Sequence, residues 1–277
     1  MAEPSVDAAV EELETELLLE ALYRRYQHDF RAYSRASLQR RVDSARRRLG
    51  CATVSQLQER ILRDSAACAV LVQTLTVQVS EMFRDPAFFR AVRSEVVPVL
   101  RTYPSVRLWV AGCSTGEEVL SFAILLEEEQ LLDRTTIYAT DINTESLRKA
   151  EAGVYPIDAV AGFSSNYIEA GGRASLSEYY VAEYGHAVFS RNVRRNTVYA
   201  DHSLATDSVF AEVQMVACRN VLIYFSRELQ DRAVALFRDA LCPGGFLGLG
   251  SRESLAFSTL ASGFTDVSRE HRIYRRR

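Results

Sequence analysis

The sequence predicts an α/β fold, a mostly parallel sheet with helices on both faces, carrying a small inserted antiparallel β subdomain and preceded by an all-α N-terminal domain. Three observations predict it. From about residue 106, short apolar β-branched runs alternate with helical stretches, the pattern of strands joined by crossover helices. Residues 1–75 show helical periodicity alone. Between 153 and 196 the alternation stops and short β-like runs stand among glycines and tyrosines.

Taken in order, 11–22 reads as a helix, continued by Tyr23, Tyr26, Phe30 and Tyr33 as an aromatic stripe that suits a core. Leu38, Val42, Ala45 and Leu49 form the apolar face of a second helix, about 37–49, which Gly50 ends. Its other faces carry Arg40, Arg41, Arg46, Arg47 and Arg48. Thr53 with Gln56 reads as a capping box before Leu57 and Ile61, and a further helix covers about 65–73. The polar segment 76–84 leads to Asp85 and Pro86, a helix start. Strands are expected at 106–111, 136–140, 213–217 and 246–250, and helices at 117–129, 144–152 and 227–241. A last strand around 271–274 is expected to be antiparallel, at or near the edge. Within the insertion, strands are expected at 179–181 and 187–189, with Gly171 and Gly172 making a tight loop. Tyr179, Tyr180 and Tyr184 suit either a core or a peptide-binding face.

The 277 residues hold 33 Lys+Arg against 36 Asp+Glu, a formal charge of −3, and are 48% hydrophobic. Collagen-like, disordered and coiled-coil classes are excluded by these values. No apolar run approaches the roughly 18–20 residues of a membrane span. The acidic start lacks a signal-peptide pattern. Five scattered cysteines without CxxC spacing and four separated histidines point to a reduced, cytoplasmic chain without a metal site. Lys149 is the single lysine, an arginine bias that codon usage alone would give. Residues 1–20 hold seven acids and no base, and residues 21–63 hold eleven arginines and three acids. The first segment reads as a tail without an assigned role.

Four motifs carry chemistry. In residues 108–118 a buried strand runs into Gly112-Cys113-Ser114-Thr115-Gly116 and a helix opening on Glu117 and Glu118. Glycine lets a ligand approach the backbone, and open α/β sheets bind ligands at the carboxyl ends of strands. The loop lacks GxGxxG, and two acids at a helix start repel pyrophosphate while tolerating a sulfonium and an amine. It therefore favours S-adenosylmethionine over a dinucleotide. Asp141 ends the next strand, where a carboxylate can take both ribose hydroxyls or simply cap the following helix. Residues 217–225 offer Asn220 and Tyr224, readable as ligand contacts or as a turn asparagine and a core tyrosine. In 75–86, Arg84 could pair with a carboxylate.

TVQVSEMFRDPAFF, AGCSTGEE, ATDIN, and CRNVLIYF followed by PGGFLGLG together resemble the CheR-type chemoreceptor methyltransferases, over residues 23–274. The resemblance implies a Rossmann-like S-adenosylmethionine-dependent methyltransferase domain at 76–277, with its β subdomain at about 153–196, behind a helical domain at 1–75. It implies O-methylation of glutamate side chains on the cytoplasmic helices of a chemoreceptor, with S-adenosylhomocysteine as product. The cofactor would meet Gln78, Ser80, Arg84, Gly112, Glu118, Asp141, Ser203, Leu204, Arg219 and Asn220, with Arg84 on the methionine carboxylate and Asp141 on the ribose. Tyr224 and Arg84 would stand nearest the reacting centre. The family commonly has Asn where Gln78 stands, Thr where Ser80 stands and Asn where Ser203 stands.

A glutamate ionises near pKa ~4.3, so the nucleophile is already an anion at neutral pH and no general base is needed. The enzyme must supply in-line orientation and exclude water. Arg40, Arg41, Arg47 and Arg48 would steer an acidic substrate helix, or form a solvated face. In some relatives the β subdomain docks a receptor's C-terminal tail. The chain is expected to act as a monomer, without nucleic acid or membrane insertion. The alternative is a regulatory module binding S-adenosylmethionine or S-adenosylhomocysteine with little or no turnover. A nucleic-acid methyltransferase, prompted by the arginines of 21–63, is disfavoured by the slightly acidic chain.

Overall fold

The structure, a computed structural model, describes residues 6–76 and 80–277. The chain forms two compact units. The first holds the N-terminal helices together with Ser203–Thr206 and Tyr224–Gln230, and the second holds the remainder.

The helical unit contains α1 (Val6–Tyr26), α2 (Arg35–Arg48), α3 (Val54–Arg63) and α4 (Ser65–Leu75). Apolar spacings of three and four decide which face each helix buries. In α3 that face is Val54, Leu57 and Ile61, and α3 packs on α1, whose Leu18 and Leu22 are fully buried. Thr53 Oγ1 accepts the Gln56 N–H at 3.1 Å, while Gln56 Oε1 accepts the N–H of Ala52, one residue earlier than a standard capping box. Asp64 caps α4 by accepting the Ala66 N–H at 2.9 Å.

Two expectations need correction here. The aromatic stripe is not one helix face: α1 ends at Tyr26, Gln27 turns into the left-handed region (φ 61°), and Phe30 and Tyr33 come from the following loop. Nor is the acidic start a tail, since from Val6 it is α1. Its carboxylates meet the arginines that follow. Glu12 and Glu16 pair with Arg35, and Glu20 pairs with Arg24 at 2.6 Å and Arg31 at 2.8 Å. Charges segregated in sequence are thus neighbours in space.

The second unit begins with α5 (Pro86–Ala91), a π-helical turn Val92–Val96 and α6 (Val97–Leu100). Then come β1 (Val106–Ala111), α7 (Glu117–Glu128), β2 (Thr135–Asp141), α8 (Thr144–Ala152), β3 (Val154–Pro156) and α9 (Ile157–Glu169). There follow β4 (Tyr180–Glu183), β5 (His186–Phe189), α10 (Arg191–Arg194), β6 (Thr197–Asp201) and β7 (Val213–Cys218). The chain ends with α11 (Arg227–Ala240), β8 (Leu241–Leu249), β9 (Phe264–Ser268) and β10 (Ile273–Arg276). The large sheet has the order β6-β2-β1-β7-β8-β10-β9. Its first five strands are parallel, and β10 runs antiparallel to both β8 and β9. Chain order reverses at β1, which lies between β2 and β7, so the ligand crevice belongs at the carboxyl ends of these strands.

β1 is buried except at Arg107, as a strand covered on both faces must be. Trp109 at its centre is wholly buried and donates Nε1–H to Thr140 Oγ1 at 2.8 Å, so the indole's one polar atom is satisfied. Beside it α7 is buried almost all round, from Val119 to Leu126.

Five elements were not anticipated, the short β3 and α10 among them. The insertion contains α9, whose Val160, Phe163 and Tyr167 are buried at helical spacing; Gly162 and the polar residues after it blur that periodicity. β6 and β9 were also missed, and β9 lies outside the last strand, which is therefore second from the edge. The small sheet has the order β3-β5-β4, all antiparallel. Its hairpin turns through Tyr184 (φ 46°) and Gly185 (φ 76°), a two-residue loop with both residues left-handed. Gly171 and Gly172 instead follow α9, where a Cβ on Gly172 would lie 2.3 Å from the Tyr167 ring. The three tyrosines divide: Tyr179 bonds Glu128, Tyr180 packs on Phe189, and Tyr184 is 98% exposed.

Candidate functional site

The loop after β1 is held open by backbone geometry. Gly112 has φ 71°, and its N–H and that of Cys113 both donate to Thr140 O, at 2.8 and 2.9 Å. A Cβ on Gly112 would lie 2.5 Å from Val221 Cγ2, so no other residue fits without displacing the loop after β7. Gly116 (φ 92°) begins α7. Tyr155 of β3 donates its hydroxyl to Thr115 O at 2.7 Å, tying the small sheet to this loop.

Asp141 stands at the end of β2 beside the same loop. Its Oδ2 accepts the Ser114 N–H at 2.8 Å and its Oδ1 the Asn143 N–H at 2.9 Å. Burial pushes its pKa up, and these backbone donors oppose the shift. Each oxygen keeps acceptor capacity beyond these bonds, as a ribose diol requires. Ser114 Oγ, next to it, is buried without a hydrogen-bond partner among the described residues.

Arg219, at the end of β7, is 1% exposed in its side chain. Its guanidinium pairs with Glu118 and Asp85, each at 2.9 Å, donates to Arg84 O at 2.8 Å, and lies 4.1 Å from the Phe88 ring centroid. Its Nε has no hydrogen-bond partner among the described residues. Arg219 thereby fixes the turn at Phe83 and Asp85, both in the left-handed region, and with it the half-buried Arg84. Burial raises the pKa of Glu118, and Arg219 opposes that. Glu117, the other acid of this helix start, is 7% exposed and accepts hydrogen bonds from Thr115 and Ser80.

Asn220 adopts φ 60° and donates its backbone N–H to Glu253 Oε2 at 2.9 Å. The same carboxylate accepts N–H groups from Gly250 and Ile223. Sequence reasoning missed Glu253. Its signal was an acid three residues beyond Gly250, where a buried strand ends.

The second unit thus brings together Ser80, Arg84, Gly112, Glu118, Asp141, Arg219 and Asn220. Gln78 lies outside the described residues. Ser203, Leu204 and Tyr224 fall in segments that pack in the helical unit. There Ser34 donates its N–H to Tyr224 O at 2.8 Å, and the Arg41 guanidinium lies over the Tyr224 ring at 4.9 Å while donating to Leu75 O at 2.6 Å. Arg40, Arg47 and Arg48 are exposed; Arg47 pairs with Asp43, and Arg48 reaches Gln73 at 3.4 Å. Arg46, on the same helix, binds Asp43 and the carbonyls of Cys51 and Ala52.

A seven-stranded sheet of this order, with a glycine loop after β1 and a carboxylate ending β2, defines the S-adenosylmethionine-dependent methyltransferases. The residues present fit that cofactor: the unpartnered Ser114 Oγ and Arg219 Nε and the open acceptor sites of Asp141 suit a ligand with hydroxyls and charge. The chain belongs to the CheR methyltransferase family. The all-alpha domain of CheR methyltransferase matches residues 13–76, and its SAM binding domain matches 78–271. Among relatives, "Putative methyltransferase Cher3" of Pseudomonas putida is 55% identical over 96% of this chain and 97% of its own. "Chemotaxis protein methyltransferase" of Listeria innocua is 28% identical over 82% of this chain and 84% of its own. "Chemotaxis protein methyltransferase 1" of Pseudomonas aeruginosa is 28% identical over 78% and 80%. S-adenosylmethionine is the cofactor of the second unit. Among the described residues no helix is long and apolar enough to cross a membrane.

Proposed function

We propose that this chain methylates glutamate side chains on the cytoplasmic helices of a chemoreceptor, as an adaptation enzyme of chemotaxis or a related signalling system. The observation that carries the reading is the match of both CheR domains, in order, across residues 13–76 and 78–271. The relatives named for chemotaxis support it.

Bound S-adenosylmethionine supplies an electrophilic methyl on a sulfonium. The chain's own work is binding, orientation and exclusion of water. Asp141 takes the ribose hydroxyls and Arg84 takes the methionine carboxylate through a charge-assisted bond; by the family resemblance Ser203, Leu204 and Asn220 are cofactor contacts as well. Glu118 and Arg219 hold each other and the Arg84 turn in place. Gln78, Ser80 and Gly112 complete the cofactor contacts. Tyr224 orients the incoming glutamate, which arrives ionised and needs no general base. Arg41 steadies the Tyr224 ring, and Arg40, Arg47 and Arg48 attract the acidic substrate helix.

In this reading residues 1–75, with the helix at about 37–49, recognise substrate, and 76–277 perform the transfer. The β subdomain at about 153–196 offers β4 as an open edge on which a receptor's C-terminal tail can add a strand. The protein acts in the cytoplasm as a monomer. Incubation with S-adenosylmethionine and receptor cytoplasmic fragments, followed by mass spectrometry, tests the proposal. Methyl groups on glutamate support it; bound cofactor with no transfer to any receptor favours a binding module instead.

A further inference from the structure

Arginine accounts for nearly all the positive charge of this chain, and most of it is engaged within the protein. At the C-terminal hairpin the pattern breaks. Arg275 Nε donates to Gly244 O at 2.9 Å and Arg276 bonds Leu241 O. Arg269, Arg272 and Arg277 do otherwise. They line one cavity of about 510 Å³ beside β9 and β10, and none of the three side chains has an ion-pair or hydrogen-bond partner among the described residues. Arg272 Nε is buried and unsatisfied.

The backbone aims these groups. Arg272 adopts φ 57° while its carbonyl accepts the Leu249 N–H at 3.0 Å, a strained conformation held by the end of β8. Arg277 is held by its own N–H, which donates to Gly263 O at 3.0 Å. Leu255, Phe264 and Tyr274 are buried and give the cavity an apolar side. Asp266 is the single acidic side chain of the lining. A buried guanidinium N–H without an acceptor, as at Arg272 Nε, is costly and is satisfied by an oxyanion, while the exposed Arg269 and Arg277 add positive charge at the cavity rim.

We propose that this cavity binds a small phosphorylated organic ligand, with its phosphate on Arg269, Arg272 and Arg277, its apolar part on Leu255, Phe264 and Tyr274, and a hydroxyl or amine on Asp266. The volume lies in the range of small-ligand sites. The site is separate from the cofactor loop at Gly112, Asp141 and Asn220, and does not depend on which protein is methylated.

The test is calorimetric titration of the full chain, saturated with S-adenosylhomocysteine so that the cofactor site is closed, with ADP, glucose 6-phosphate and pyrophosphate. The first two separate a nucleotide from a sugar phosphate; pyrophosphate reports the bare anion. Binding of ADP or glucose 6-phosphate, tighter than pyrophosphate and weakened about tenfold by Arg269→Ser and again by Arg277→Ser, supports the proposal. Both substitutions are at exposed positions, and unchanged S-adenosylhomocysteine affinity shows that the fold is intact. Binding of pyrophosphate alone, no binding of either organic phosphate, or affinities unchanged in the double variant would overturn it.

Discussion

The carboxylate of Glu253 accepts the backbone N–H of Asn220 at 2.9 Å, across 33 residues of sequence. The same group accepts the N–H groups of Gly250 and Ile223, so one buried side chain shapes the loop that follows β7. Burial raises its pKa, and the backbone donors oppose the shift. Glu253→Ala leaves these donors buried and unpaired, at roughly 1–3 kcal/mol for each one that water cannot reach. Urea unfolding should show a loss of at least 2 kcal/mol, estimated as about two such groups. S-adenosylhomocysteine affinity should fall with it.

Asp141 gives a pH prediction. Burial raises its pKa above 3.8. The folded chain therefore holds the proton to higher pH than the unfolded one, and this group's effect on stability becomes less favourable as pH rises from 3.8 through the raised value. Cofactor binding runs the opposite way, because ribose hydroxyls donate to the ionised carboxylate. S-adenosylhomocysteine affinity should drop as pH falls through the raised pKa, and Asp141→Asn should bind weakly with that step removed. A step of the same size in the variant would assign it to another group.

Gly112→Ala should destabilise the second unit by about 1–3 kcal/mol, the usual range for overpacking. Two causes act: the 2.5 Å approach to Val221 Cγ2 and the positive φ. Adding Val221→Ala relieves the first and leaves the second. Thermal unfolding of the single and double variants should show partial recovery; full recovery would make φ irrelevant here.

Arg219→Met keeps volume near the Phe88 ring but leaves Glu118 and Asp85 without their shared cation. Breaking a buried ion pair costs about 3–5 kcal/mol. That cost belongs to the Glu118 pair, since Asp85 is 38% exposed, and a loss below 1 kcal/mol in chemical denaturation would mean that water reaches Glu118 as well.

Much of this was legible beforehand. α8 was expected at its observed bounds, although its cap is Asn143 rather than Asp141, and Gly153 ends it; β1, β2 and β7 read clearly as buried runs. α9 was not legible because Gly162 and neighbouring serines dilute its apolar face, and β9 because Phe264-Thr265-Asp266-Val267 buries only its first residue. At the site, Asp141 and Gly112 stood out because strand ends and glycine loops have local signatures. Glu253 did not, because two of its partners, Asn220 and Ile223, are about thirty residues away in sequence. Arg219 was read as a cofactor contact, and only packing reveals its guanidinium held by Asp85 and Glu118.

In the helical unit, Arg41 over the Tyr224 ring predicts a split between binding and rate. Tyr224→Phe should leave S-adenosylhomocysteine affinity within about twofold and lower kcat about tenfold, the loss of one orienting interaction worth about 1.4 kcal/mol. Arg41→Ala should lower kcat in the same direction. Equal losses in cofactor affinity would place Tyr224 in the cofactor pocket instead.

The central claim is that the methyl group ends on a glutamate carboxylate. Receptor cytoplasmic fragments labelled from S-adenosylmethionine in the methyl group should release that label as methanol in mild base, because a carboxyl ester hydrolyses there. Label that stays on the protein through base treatment would place the methyl on nitrogen or another base-stable atom and would contradict the account.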